Sequence, residues 1–102
     1  MIEYKKHNYE LKYNIKRVRM IEEATRKPTL DIIRTNNGML TINELIIYTA
    51  YGLIEQGEDS FVKPNQGLKM AEDMIETLGY PQMLEAVLEA IQRDCPFLFR
   101  VA

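Results

Sequence analysis

Residues 41–57, TINELIIYTAYGLIEQG, carry the most decisive pattern in the chain. Thr41 and Glu44 stand three apart ahead of an apolar run, the spacing of a capping box. Leu40 and Leu45 occupy the positions of a hydrophobic staple around it. The spacing predicts a helix from Ile42 to about Gln56, closed by Gly57. At 100° per residue, Ile42, Leu45, Ile46, Thr49 and Leu53 share one side, while Ile47, Ala50, Tyr51 and Ile54 cover most of the opposite one. Only a narrow sector with Glu44 and Glu55 is charged. A helix apolar nearly all round is either the central helix of its domain or lends one face to a partner.

Upstream, the pattern alternates. Ile2, Tyr4, Tyr9, Leu11, Tyr13 and Ile15 are separated by polar residues, which predicts a short N-terminal β-hairpin with its turn at His7-Asn8. From Ile15 the period becomes helical, through Val18, Ile21 and Ala24, with Asn14 as N-cap and an end near Thr25. Pro28 can open a next helix with Leu30 and Ile33 buried, stopped by Asn36-Asn37-Gly38.

Downstream of a loop at residues 57–64, a helix over about 65–78 places Leu68, Ala71, Ile75 and Leu78 inward, with Met74 beside them and Met70 at the edge. Gly79 ends it, and Pro81 starts a last helix with Leu84, Val87, Leu88, Ile91 and Cys95 on one face, flanked by Met83 and Ala90. Pro96 breaks that helix and leaves a Phe97-Leu98-Phe99 tail. The expected fold is mainly α: a bundle of about five short helices behind a small N-terminal hairpin, one domain over residues 1–102.

Composition narrows the function. Hydrophobic residues make up 46% and charged residues 27% of the 102, which is ordinary for a globular chain. The longest apolar run, Leu45 to Ile54, is half of the about 20 residues a membrane span needs. A single cysteine, Cys95, forms no disulfide within the chain, and Met1 to Lys6 has no signal-peptide character, so a reducing cytoplasmic setting is expected. One histidine (His7) and one cysteine supply neither a metal-ligand spacing nor a nucleophile–base pair close in sequence, and the five glycines form no phosphate cradle. The carboxylates Glu72, Asp73 and Glu76 read as a solvated face. The expectation is a non-enzyme without cofactor or metal.

The net charge of −2 is unevenly spread. Residues 1–27 carry eight Lys/Arg against four acids (+4), and residues 28–102 carry five against eleven (−6). Such a split fits either a nucleic-acid surface or head-to-tail contact between copies. The later helices are acidic where a DNA reader needs a basic recognition helix, so a small helix-turn-helix DNA-binding regulator ranks second, separable by a gel shift with a steep salt slope. Six methionines, a two-sided helix and an aromatic tail leave more apolar surface than one small core needs. A groove for an amphipathic helix accounts for them, with Tyr48, Tyr51, Met70, Met74 and Met83 as candidate lining because they flank the core faces.

The stretch Tyr9-Glu10-Leu11-Lys12-Tyr13, the helix Arg17-Val18-Arg19-Met20-Ile21-Glu22-Glu23-Ala24-Thr25-Arg26-Lys27 and residues 45–53 resemble the siphophage tail assembly chaperones of phages of Gram-positive hosts, lactococcal phages among them. The resemblance covers most of the chain but rests on apolar patterns with few fixed polar residues. Arg26 stands where that family favours glycine, and His7-Asn8 replaces a glycine-containing turn. The resemblance implies a chaperone that keeps the tape-measure protein soluble in the host cytoplasm until the major tail protein polymerises around it. It further implies ring or spiral homo-oligomers, in many members a longer frameshifted form, and absence from the mature virion.

Overall fold

The computed structural model describes residues 2–35 and 38–100. Strands β1 (Ile2–Tyr4) and β2 (His7–Leu11) form the expected hairpin, but its turn lies two residues earlier than the polarity pattern suggests. Tyr4 pairs with His7, so Lys5 and Lys6 form the loop, both with positive φ (48° and 69°). A two-residue hairpin loop of this hand matches the right-handed twist of its strands, which is why lysines are tolerated where Asn-Gly would be relaxed.

Helix α1 (Ile15–Thr25) starts as expected: the Asn14 side chain accepts from the Arg17 N–H at 2.8 Å. Its buried face is Val18 and Ile21 alone; Ile15 and Ala24, expected to join it, are exposed. Arg26 closes it in the left-handed conformation (φ 62°), a position where glycine has no steric cost. Helix α2 (Thr29–Thr35) follows Pro28 and buries Thr29 and Ile32, whereas Leu30 and Ile33 are half-buried. The reason is a polar anchor at its start. The Thr29 N–H donates to Glu22 Oε2 at 2.7 Å, and its hydroxyl lies 2.8 Å from the Tyr48 hydroxyl. Gly38, with φ 79°, donates its N–H to the Ile33 carbonyl beyond the helix end; the proposed stop at Asn36-Asn37 lies outside the described residues.

The capping box of α3 (Ile42–Gly52) is present in full, with Thr41 Oγ1 accepting from the Glu44 N–H at 3.0 Å and the Glu44 carboxylate from the Thr41 N–H at 2.8 Å. The helix ends four residues before the expected Gln56. Leu53–Glu55 instead forms strand β3, which pairs antiparallel with β2 in the register Tyr9↔Glu55 and Leu11↔Leu53. Two strands alone are marginal in water, and a third with a buried side makes the sheet viable. Gly52 allows the switch, since it is a poor helix former and has no Cβ to clash with the Tyr13 ring.

Helix α4 (Pro64–Leu78) and helix α5 (Tyr80–Asp94) flank Gly79, whose φ is 93°. A short 3₁₀ turn (Pro96–Leu98) follows. Helix α3 packs against α4, α1 and α5, which makes it the central helix. The inner face of α4 is Gly67, Met70, Ala71 and Met74, so it is rotated from the expected Leu68–Ile75–Leu78 stripe. Gly67 dictates the rotation: a β-carbon there would stand 2.8 Å from the Ala50 carbonyl oxygen, so this is where the two backbones approach most closely. One core cluster runs from Ile2 to Cys95, and among the described residues no helix is long and apolar enough to cross a membrane.

Two tests follow from this architecture. Replacing Lys5 with Asn and Lys6 with Gly together should raise stability by about 1 kcal/mol, read as a higher urea midpoint, and an unchanged or lower midpoint would show that the lysine turn carries no strain. The second concerns Asp94. Its carboxylate accepts from the Tyr13 N–H at 3.0 Å and from Arg93 Nε at 2.7 Å. Burial alone would push the Asp94 carboxyl up, but hydrogen bonds from Arg93 and Tyr13 and the charges of Arg93 and Lys12 outweigh it and hold it below the ordinary value of 3.8. A depressed folded pKa contributes stability above the unfolded value and loses it as pH falls through the folded one. Asp94→Asn should therefore be less stable near neutrality yet lose less stability than the wild type between about pH 5 and about pH 2; parallel urea-midpoint curves for the two proteins would refute the assignment.

Candidate functional site

The expected groove residues do not form a groove. Tyr48, Met74, Met83 and Met70 are 1%, 1%, 0% and 4% exposed and belong to the core. Tyr48 also serves structure: its carbonyl accepts from the Tyr13 hydroxyl at 2.7 Å, and burial pushes its own hydroxyl up to about 12, with the Thr29 hydrogen bond acting against that shift. Tyr51 alone keeps part of its surface. Met70 and Met74 turned inward because Gly67 and Ala71 bring their side of α4 onto α3.

An apolar cleft exists elsewhere, along one flank of α5. Met39, Tyr80, Pro81, Leu84 and Leu88 supply its apolar lining, with Glu85, Glu89 and Gln92 beside them, and its volume is about 440 Å³. Helix geometry builds one wall, since Tyr80, Leu84 and Leu88 recur every four residues and stand in one row. The other wall is the segment before α3. The Tyr80 hydroxyl donates to the Leu40 carbonyl at 2.5 Å and accepts from the Leu40 N–H at 3.1 Å. A β-carbon on Gly38 would meet Leu88 Cδ1 at 3.4 Å, so the chain runs close to α5 there. Met39 is thereby held at the mouth, 51% exposed.

The sequence pattern puts Leu84 and Leu88 on one face with Val87 and Ile91; the structure packs Leu84 against the edge of the core, leaves both leucines half-buried and adds Met39, which the pattern does not mark. The signal for the cleft is the width of the apolar sector of α5. Met83, Val87, Ala90 and Ile91 fill the buried side, and Leu84 and Leu88 extend beyond it, half-buried.

Several of the potentially reactive side chains have partners within the fold. His7 Nδ1 lies 2.8 Å from Glu55 across β2 and β3. Asp73, from the acidic cluster on α4, accepts from the Tyr4 hydroxyl at 2.7 Å. No group of three His, Cys, Asp or Glu side chains suited to a metal ion occurs among the described residues. In the basic N-terminal third, the Arg17 guanidinium stacks on the Phe61 ring at 3.9 Å, and Lys27 reaches the Glu44 carboxylate at 3.5 Å. Cys95 is fully buried, and burial, with the charge of Asp94, pushes its thiol up to about 11.

No family model, curated protein or solved structure matches the chain.

The environment of Cys95 predicts its reactivity. A thiol-specific reagent at neutral pH should modify the native protein at least about 100-fold more slowly than the urea-unfolded chain, because little thiolate forms and access is blocked; comparable rates would show that the C-terminal end of α5 opens readily.

Proposed function

We propose that the chain is a non-catalytic chaperone of the siphophage tail-assembly kind, which holds helical segments of the tape-measure protein in the cleft on α5. The cleft carries this reading: an open apolar trough beside a helix is the shape into which another amphipathic helix lays its apolar face. The resemblance of residues 9–27 and 45–53 supplies the identity of the partner.

The physics suits temporary holding. Two or three apolar anchors contribute roughly 1.5–3 kcal/mol each on burial, and association entropy offsets much of that. A single copy should then bind weakly, no tighter than about the millimolar range, so that copies exchange and are released when a competing polymer forms. Met39 at the mouth adds a pliable contact that accepts varied apolar side chains. A long partner would need several copies along its length, and the +4/−6 charge split between residues 1–27 and 28–102 would favour head-to-tail order among them.

Co-expression with a tape-measure protein from the same genome tests the reading. The wild-type chain should keep that protein in the soluble fraction and co-purify with it. Leu84→Asp with Leu88→Asp should abolish both effects, and Met39→Asp, at a position exposed enough to leave the core intact, should weaken them about tenfold. Retained co-purification with all three substitutions in folded protein would move the binding site away from the cleft. Failure of the wild-type chain to co-purify would remove the chaperone reading.

A further inference from the structure

The cleft is apolar along its floor, but its ionisable lining is all of one sign. Glu85 and Glu89 stand on it, both exposed, and none of its lining residues is Lys or Arg. The two carboxylates are four residues apart on α5, a like-charge spacing that mildly destabilises a helix. Among the described residues neither has a salt-bridge partner. The nearest cation in sequence, Arg93, stands one turn beyond Glu89 and attracts it, but its guanidinium is bound to the Asp94 carboxylate and to the Leu11 carbonyl, so it offsets the charge of Glu89 only in part and leaves Glu85 uncompensated.

We propose that the occupant of this cleft is a basic amphipathic helix. Its apolar side chains, three and four residues apart, would fill the trough between Met39 and the Leu84–Leu88 row. Lys or Arg beside them would meet Glu85 and Glu89. The proposal rests on the reading of the cleft as a helix-binding groove and adds the charge of what it holds. The lining runs from Tyr80 to Gln92, about 18 Å at 1.5 Å per residue, which accommodates about three turns of a partner helix. Contact with an apolar floor lowers the local dielectric, so an acidic helix of the same shape is disfavoured by repulsion as well as by lost attraction.

Binding of the full chain to two labelled peptides of about 18 residues tests this. Both carry leucines at the same helical spacing; one has lysines flanking them and the other glutamates. Fluorescence anisotropy should show the lysine peptide binding at least about tenfold more tightly, with the gap narrowing as salt rises. Glu85→Lys with Glu89→Lys should reverse the order, and Met39→Asp or Leu84→Asp with Leu88→Asp should weaken both peptides. Equal affinities, both lost with the cleft substitutions, would overturn the charge inference and leave the groove. Binding of neither peptide by folded protein, or binding indifferent to the cleft substitutions, would overturn the groove with it. Sedimentation of the chain alone supplies the remaining outcome. A salt-sensitive oligomer that excludes the peptide and dissociates in Met39→Asp would assign the cleft to a second copy and overturn the proposal.

Discussion

The ring of Tyr13 lies so close to Gly52 that a β-carbon there would stand 2.6 Å from Cζ. Around this contact three separate parts of the chain are tied. The Tyr13 hydroxyl donates to the Tyr48 carbonyl in α3, its N–H donates to Asp94 at the end of α5, and the neighbouring Lys12 N–H donates to the Gly52 carbonyl. The junction fixes where the sheet ends and α1 begins, where α3 becomes β3, and how α5 stands against both. Tyr13 is 4% exposed and its bond to the Tyr48 carbonyl is buried, so loss of that bond would leave a buried polar group unpaired.

Features written by neighbours in sequence could be read directly. Asn14 as N-cap, the Thr41–Glu44 box and the Gly79 break are each local stereochemistry, and each stands where the spacing put it. The errors arose where a distant residue decides the outcome. Nothing in Leu53-Ile54-Glu55 distinguishes a last helical turn from a strand until β2 offers an edge to pair with. Lys5-Lys6 has no turn signature, and the loop is placed by the pairing of Ile2 with Tyr9. The rotation of α4 was hidden for a related reason. Gly67 looks like a weak spot in a helix until its approach to Ala50 shows that it is the point of contact.

The same effect explains the fate of the methionines. A count of apolar residues measures how much surface must be covered, but not which residues remain uncovered. Met70, Met74 and Met83 are unbranched and fill irregular space around α3, so they were drawn into the core. The apolar surface left over is spread over Ile15, Met39, Ile42, Phe97 and Phe99, and Met39 meets the half-buried Leu84 and Leu88, which flank the inner face of α5 formed by Val87, Ala90 and Ile91.

That division of labour on α5 has a mechanical consequence. A site on a loop would need to order itself on binding, at an entropic cost set against a modest gain from burial. The cleft instead stands on a 15-residue helix whose inner face is locked by core packing, and its second wall is held by both hydrogen bonds of the Tyr80 hydroxyl to the Leu40 backbone. The apolar row is therefore held in one geometry, and under the proposed function no ordering step would precede binding. In the proposed complex, pre-organisation of this kind would spare the ordering cost for two or three side chains, and the modest size of the interface would keep the complex reversible. Rigid backing on one face and exchangeable contact on the other both follow from an apolar sector of α5 wider than its core can cover.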